Sequence, residues 1–166
     1  MTLTEIPAAG TTFTGWKGGG CAGLAHKTCT VTMNGAQAVS ASFTGSSHLY
    51  QETSATYQGN WIVSKCSCYS GGTDKYTTVK GAFTTFTFTG NLIQFVSERS
   101  AARGSFKVYI DGVYKGTVSN YSTVPQNAVV VWQHSFTASG KHTLKIVNVG
   151  TPGHNRIDID AFVVAT

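Results

Sequence analysis

The chain has seven carboxylic acids, the side chains that could carry acid–base chemistry on a sugar. They are Glu5, Glu52, Asp74, Glu98, Asp111, Asp158 and Asp160. Hydrolysis of a glycosidic bond needs two carboxyl groups that face each other across the sugar. Asp111 lies in an Asp-Gly turn, and Asp158 and Asp160 would point to the same face of one strand. Neither Gly-x-Ser-x-Gly nor His-Glu-x-x-His occurs, so the residues predict no catalytic site.

Aromatic and planar polar side chains cluster in turn-rich segments, where they could bind a sugar. Pyranose faces stack on Tyr or Trp, and planar polar groups hydrogen-bond the equatorial hydroxyls. The predicted ligand-binding residues are Tyr69, Asp74 and Tyr76 on one Gly-Gly loop, then Arg99, Arg103, Tyr121, Asn155 and Arg156 on others. The alternative is that each tyrosine seals the edge of the core. Trp61 and Trp132 lie inside strand patterns, which favours core packing.

The histidines and cysteines offer little metal chemistry. His142 and His154 could join Asp158 and Asp160, but a histidine in Gly-x-His-Thr-Leu is more often structural. The spacing of Cys21, Cys29, Cys66 and Cys68 does not fit a zinc site. We predict a Cys21–Cys29 disulfide closing a Gly-rich hairpin in an oxidising compartment. The pairing of Cys66 with Cys68 stays open, since it would close a small ring.

Composition points to β-structure and away from two classes of partner. Charged residues make up 11% of the 166 residues, while 24 Thr, 15 Ser and 19 Gly supply strands and turns. The net charge of +5 is scattered singly along the chain. We therefore predict no nucleic-acid patch, only a weak preference for acidic partners such as uronate-bearing polymers. No run approaches the ~18 apolar residues that would span a membrane.

The chain divides near residue 45 into a short turn-rich unit, 1–45, and a longer domain, 46–166. The first unit has strand patterns at 12–16, 29–33 and 39–44. Its segments Pro7-Ala8-Ala9-Gly10, Phe13-Thr14-Gly15-Trp16, Gly20-Cys21, Cys29-Thr30-Val31-Thr32-Met33 and Val39-Ser40-Ala41-Ser42-Phe43 resemble the divergent internalin-type B-repeat of bacterial surface proteins. The resemblance implies a spacer in a secreted protein with several modules. Met1 directly before Thr2-Leu3-Thr4-Glu5 is typical of a start codon added to a piece of a longer chain.

Residues 46–166 show a strand pattern every 8–14 residues, which is the rhythm of an antiparallel β-sandwich. The patterns alternate at 84–89, 106–110 and 114–118, with Asp111-Gly112 as a hairpin turn. Further strands are expected at 61–63, 92–96, 129–132, 144–149 and 157–164. The predicted fold class is all-β, an antiparallel jelly-roll sandwich with a small N-terminal β-hairpin unit.

Five motifs in order carry a second resemblance. They are Lys80-Gly81-Ala82-Phe83, Phe86-Thr87-Phe88-Thr89-Gly90, Val108-Tyr109-Ile110-Asp111-Gly112, Gly140-Lys141-His142-Thr143-Leu144 and Ile159-Asp160-Ala161-Phe162. Together they resemble secreted bacterial jelly-roll modules of the galactose-binding-like, carbohydrate-binding type. The resemblance implies a structural Ca2+ between Glu52 and Asp160, with loop carbonyls supplying most of the other ligands. The alternative is that Asp160 accepts hydrogen bonds from backbone N–H groups.

These observations predict a non-catalytic, polysaccharide-binding module of a secreted or cell-surface bacterial protein. It would hold an attached enzyme or a cell surface near a polysaccharide or oligosaccharide. The alternative is a structural or adhesive module that packs against covalently linked neighbours and binds no glycan.

Overall fold

The computed structural model describes residues 1–6, 11–23 and 26–166, so Pro7-Ala8-Ala9-Gly10 of the B-repeat resemblance lies outside the described residues. Chain contacts form two units, Met1–Ser47 with Ala165–Thr166, and His48–Val164. The first unit has four strands: β1 (Thr2–Thr4), β2 (Thr12–Lys17), β3 (Thr28–Thr30) and β4 (Ser40–Thr44). No helix in the described part of the chain is long and apolar enough to cross a membrane.

The small unit is built from two antiparallel pairs, β1 with β3 and β2 with β4. Its core consists of Trp16, Cys21, Cys29 and Val31. Cys21 and Cys29 form a disulfide, as the sequence predicts. The Trp16 indole donates a hydrogen bond to the His26 carbonyl at 2.9 Å, which satisfies its one polar group while the ring is buried. So few apolar residues make a small core, and the bridge limits the freedom of the unfolded loop.

The larger unit contains ten strands. They are β5 (Ser47–Gln51), β6 (Thr56–Gln58), β7 (Ile62–Lys65), β8 (Thr73–Thr77), β9 (Phe83–Arg99), β10 (Ser105–Ile110), β11 (Val113–Ser119), β12 (Gln126–Asn148), β13 (Ile157–Ile159) and β14 (Ala161–Ala165). A seven-stranded sheet has the order β11-β10-β12-β9-β14-β5, with β6 also paired to β9. The second sheet has the order β13-β8-β7. The predicted all-β sandwich is confirmed.

Apolar side chains from both sheets meet in one core. On the large sheet, Phe86, Phe95 and Phe106 alternate with outward threonines, a lysine and a glutamine, and Ile157 and Ile159 enter from the small sheet. Phe86 stacks on Phe162 with ring centroids 4.3 Å apart. Truncating such a ring to alanine costs about 3–5 kcal/mol. Trp61 and Trp132 pack against this core, half-buried, as their strand patterns predict.

The last predicted strand, 157–164, is wrong in one consequential respect. The chain leaves the small sheet after Ile159 and enters the large sheet at Ala161, so Asp160 lies at the crossing between β13 and β14. Asp158 and Asp160 therefore do not share a strand. Every residue from Ile157 to Phe162 is buried, the two aspartates included, so the alternation of buried and exposed positions that would mark one continuous strand is absent.

Candidate functional site

A buried carboxylate that holds two arginines forms the centre of the candidate site. Asp158 lies on β13 and is fully buried. Arg103 donates to it from Nε at 2.9 Å and from Nη2 at 3.2 Å, and Arg156 donates from Nε at 2.7 Å. Two guanidinium groups on one carboxylate fix each other's orientation, since paired charge-assisted bonds are directional. The side chains of Arg103 and Arg156 keep 15% and 23% of their surface exposed, so their edges reach solvent.

Tyr76 and Asp74 extend this centre along β8. The guanidinium of Arg156 lies 3.8 Å from the centre of the Tyr76 ring, a cation–π contact. Arg156 Nη2 lies 3.8 Å from Asp74 Oδ2. Burial, followed by the charge of Asp158, raises the pKa of Asp74 to about 8. The raised pKa favours the protonated form of Asp74, and the two arginines direct their hydrogen bonds to Asp158.

Three connecting segments are locked together beside this centre. Backbone bridges join Ser100 to Tyr121 and Arg103 to Arg156. The His154 ring donates from Nδ1 to the Ala101 carbonyl at 2.5 Å and lies edge-on to Tyr121, with ring centroids 4.9 Å apart. Tyr121 is 45% exposed, so one aromatic ring reaches solvent from a loop whose backbone is held by these contacts. Exposed polar and aromatic groups on rigid loops are typical of binding sites.

Gly104 allows these connecting segments to pack closely together. Its N–H donates to the Arg156 carbonyl at 2.8 Å, and its carbonyl accepts from Asn120 N at 3.0 Å. A side chain at this position would collide with the His154 carbonyl. Because backbone is the obstacle, no rotamer change could relieve the clash, and only glycine lets the segments approach this closely.

The predicted ligand-binding residues meet in part. Tyr76, Arg103 and Arg156 lie around Asp158. Tyr121 joins this group through Ser100 and His154, and the Tyr69 hydroxyl lies 3.3 Å from Ser64 Oγ. Asn155 has an exposed side chain, and its carbonyl accepts from Asn148 Nδ2 at 2.9 Å. Arg99 ends β9 opposite Gln126 and is half-buried, with no hydrogen-bond partner for Nε.

Asp74 corrects one prediction. It was expected on an exposed loop but lies on β8, fully buried, where no sugar could reach it. Tyr76 shares that strand, so the loop is shorter than its composition indicates. Sequence reasoning did not select Asp158 or Ser100 for sugar binding, and it considered His154 and Asp158 as members of a metal site. The Arg156-x-Asp158 spacing, which places both side chains on one face of the chain, is the signal that could have found Asp158.

Glu52 and Asp160, the predicted calcium ligands, lie next to each other. Glu52 N donates to the Asp160 carbonyl at 3.0 Å. Thr73 Oγ1 donates to Glu52 Oε1 at 2.7 Å, and Ser70 N donates to Asp160 Oδ2 at 3.2 Å. The remaining carboxylate oxygens, Glu52 Oε2 and Asp160 Oδ1, are buried without a hydrogen-bond partner, as is Gln51 Oε1. Burial and the charge of Glu52 raise the pKa of Asp160 to about 6.

Buried oxygen atoms without donors fit a hard cation, because Ca2+ takes six to eight oxygen ligands. Among the described residues, no three side chains drawn from His, Cys, Asp and Glu form a group that could hold a metal ion. A cation at Glu52 and Asp160 would therefore need backbone, amide or water oxygens for most of its shell. The neighbouring loop offers such groups and is closed by a Cys66–Cys68 disulfide.

The acids form no arrangement suited to glycoside hydrolysis. Glu52, Asp74, Glu98, Asp158 and Asp160 are all buried. Asp111 is exposed, but its carboxylate accepts from Thr143 N and contacts His142 Nδ1, both at 2.7 Å. Those two contacts lower the pKa of Asp111, the His142 bond most strongly. The seventh acid, Glu5, is buried in the other unit.

Comparisons with known proteins address the two resemblances. Residues 1–47 match the family model described as "Divergent InlB B-repeat domain", which confirms the first. The CBM36-1 domain of a multidomain xylanase, from the hindgut metagenome of Trinervitermes trinervoides, superposes with a TM-score of 0.52. That match has 14% identity and covers 73% of this chain and 97% of that one. The second resemblance is thereby confirmed for the fold.

Two relatives from Flavonifractor plautii share sequence with this chain. The A type blood N-acetyl-alpha-D-galactosamine deacetylase is 30% identical over 112 residues, which are 68% of this chain and 14% of the enzyme. The A type blood alpha-D-galactosamine galactosaminidase is 31% identical over 106 residues, which are 64% of this chain and 9% of the enzyme. The chain thus spans about a seventh or less of the curated relatives that it matches.

Proposed function

We propose that this chain is a non-catalytic carbohydrate-binding module of a longer, secreted bacterial protein. The proposal rests on the loop end, which we define as the connecting segments that carry Arg103, Tyr121 and Arg156. There Arg103 and Arg156 are fixed on Asp158, and the Tyr121 ring is exposed. Guanidinium donors and an aromatic face are the groups that recognise sugar hydroxyls and pyranose rings. Two disulfides support an oxidising, extracellular compartment.

The relatives support binding rather than chemistry as the role of the shared segment. Two enzymes that are named for different reactions, a deacetylase and a galactosaminidase, each carry a similar segment as a small part of a long chain. A segment that is common to two enzymes with different reactions would serve a property that both enzymes have. Both names refer to galactosamine of A type blood. We therefore propose an oligosaccharide that ends in galactosamine or N-acetylgalactosamine as the ligand.

Glu52 and Asp160 complete the proposal as a structural Ca2+ site. The cation would satisfy the two buried carboxylate oxygens that have no donor, Glu52 Oε2 and Asp160 Oδ1. It would bridge the segment that follows β5 to the crossing between β13 and β14. Its role would be to stabilise the fold, because both carboxylates are buried, out of reach of a sugar.

The test compares two tyrosines of similar exposure by titration calorimetry with the blood-group A trisaccharide. We expect the wild type to bind in the micromolar to millimolar range, since few side chains engage and the hydroxyls must be desolvated. Tyr121→Ala should weaken binding about tenfold, which corresponds to the loss of one stacked ring. Tyr114→Ala is the matched control, because Tyr114 is 52% exposed and lies on β11, in the hairpin with β10.

Equal affinity of the two variants and the wild type would remove the loop end from the proposal. If the wild type binds no member of a broad glycan panel, the chain is a structural or adhesive module instead. Unchanged melting temperatures of both variants exclude unfolding as the cause of a loss.

A further inference from the structure

The outer face of the seven-stranded sheet carries a groove that the loop-end site does not use. The groove has a volume of about 560 Å³ and is lined by Gly81, Phe83, Thr85, Tyr109, Gly112, Thr143, Lys145 and Val147. A second hollow of about 260 Å³ adjoins it and shares Gly81 and Phe83. Since the two hollows share residues, the outer face presents an extended depression rather than one closed pocket.

The strand register aligns a row of side chains across this face. Tyr114 lies opposite Tyr109, Tyr109 opposite Lys145, Lys145 opposite Thr85, and Thr85 opposite Thr56. Paired residues point to the same side of a sheet. Because neighbouring strands lie ~4.8 Å apart, the five positions span about 19 Å. The row therefore offers two aromatic rings, a cation and two hydroxyls along a line that suits several linked sugars.

The next row along the strands extends the same surface. Lys107 lies opposite Thr117 and Val147, and Val147 lies opposite Phe83. The Lys145 ammonium lies 3.8 Å from the centre of the Phe83 ring. This cation–π contact holds a positive charge over the middle of the groove before any ligand arrives. The Tyr109 and Tyr114 rings, 5.5 Å apart, lie on the side of Lys145 away from β9.

The face carries more basic than acidic side chains. Lys107, Lys141 and Lys145 all occupy outward positions, because their neighbours Val108, Leu144 and Ile146 point into the core. None of the residues that line the groove is acidic. Asp111, at the turn next to Gly112, has its carboxylate held by His142 and the Thr143 backbone. An anionic ligand would therefore meet the positive charges of three lysines along the face, with the one carboxylate of Asp111 at the turn.

We propose that this face is a second glycan-binding site, which takes an anionic polysaccharide such as a uronate polymer laid across the strands. Tyr109 and Tyr114 stack on its sugar rings, Lys145 and Lys107 pair with its carboxylates, and the threonines bond its hydroxyls. The abundance of hydroxyl side chains favours a polysaccharide over a nucleic acid. This site involves none of the residues of the loop end, so either site can exist without the other.

The probe is polygalacturonate, and highly methyl-esterified pectin is its neutral counterpart, both in affinity gel electrophoresis at low ionic strength. The wild type should be retarded by polygalacturonate and much less by the ester. Lys145→Gln and Tyr114→Ala should each weaken retardation about threefold to tenfold. Lys65→Gln is the matched control, because it removes the same charge from an exposed lysine on β7 of the other sheet. Added salt should weaken binding, because it screens exposed charges.

Four results would overturn the proposal. They are no retardation of the wild type by polygalacturonate, equal losses in Lys65→Gln and Lys145→Gln, an equal loss in Tyr121→Ala and Tyr114→Ala, and tighter binding of single-stranded DNA than of polygalacturonate. Measuring both variants with both ligands distinguishes the two sites. Tyr121→Ala reports on the neutral trisaccharide and Tyr114→Ala on the acidic polymer, so the failure of one proposal leaves the other measurable.

Discussion

At the scale of single residues, most of the acidic side chains lie in the interior. Six of the seven acids are buried, and Glu98, Asp160 and Asp74 have pKa values raised to about 7, 6 and 8, in each case chiefly by burial. Arginines 103 and 156 neutralise one member of the group, Asp158, by direct bonds. Hydrogen-bond donors reach Glu52, Glu98 and Asp160, because an ionised carboxyl group is costly to bury alone, and the Ca2+ proposed above would add to them.

Asp74 predicts how stability depends on pH. Its folded pKa of about 8 lies above the unfolded value of 3.8, so the folded chain binds the proton more tightly. The stabilisation is complete below the unfolded pKa and is lost as the pH rises through the folded one. The melting temperature should therefore fall between pH 5 and pH 8, measured with chelator present so that bound metal does not interfere. Asp74→Asn should flatten that slope, because the amide stays neutral.

The exposed acid Asp111 provides the control for this measurement. Its pKa is lowered, so an amide there should not reduce a fall in stability towards alkaline pH. A slope that is the same in Asp74→Asn and the wild type would mean that Asp74 is ionised throughout this range. The raised pKa would then have to be abandoned.

At the scale of elements, the cation proposal concerns three segments at once. Glu52 follows β5, Ser70 and Thr73 bound the loop before β8, and Asp160 links β13 to β14. If Ca2+ joins them, chelation should lower the melting temperature by about 5–10 °C, for a free Ca2+ concentration before chelation of ~100 times the dissociation constant. Asp160→Asn should lose most of this response, whereas Asp111→Asn should keep it.

Elemental analysis of the purified chain belongs with this experiment. A tightly bound ion would resist the chelator and produce a false negative in the melting curves. Identical melting with and without chelator, in protein that contains no calcium by elemental analysis, would leave Asp160 as an acceptor for the Ser70 N–H group only.

The elements also show how far the sequence could lead. Alternation at 84–89 and 106–110 predicted strands correctly, because one face of each is buried and the other is solvated. The sequence predicts separate strands at 84–89 and 92–96, yet β9 runs through both, because Gly90 pairs with Gly140 on β12. The buried position of Asp74 could not be predicted, since only the pairing of β8 with β7 and β13 covers it.

The sequence predicted several arginines and tyrosines of the candidate site, but it did not predict the buried acid at its centre. Tyr76, Arg103, Tyr121 and Arg156 were selected because aromatic rings stack on sugars and guanidinium groups bond their hydroxyls, and because these residues lie in turn-rich segments. Asp158, the acid that Arg103 and Arg156 share, lies on a buried strand, and only its spacing from Arg156 distinguishes it in sequence from a structural acid. Segments 100–104 and 151–156 are far apart in sequence, so only the fold brings Arg103 onto the carboxylate that Arg156 holds.

At the scale of the whole molecule, the chain combines a disulfide-closed repeat unit with a sandwich that has its own core. All the buried residues of the large core lie between Phe86 and Val164, and every residue of the loop end lies between Tyr69 and Asp158. The small core uses Trp16, Cys21, Cys29 and Val31 only. Neither core shares a residue with the other, so the energetics of the two units should be separable.

Removal of residues 1–45 should therefore leave glycan binding intact. The shortened chain keeps β5 to β14, and we expect it to unfold cooperatively and to bind the A trisaccharide within about twofold of the full chain, since distant and independent parts contribute additively. The full chain with Tyr121→Ala is the control for a true loss at the loop end. A shortened chain that folds but binds no trisaccharide would show that the repeat unit contributes to the site. A shortened chain that does not fold would show that the sandwich depends on the repeat unit for its stability, against the separation of their cores.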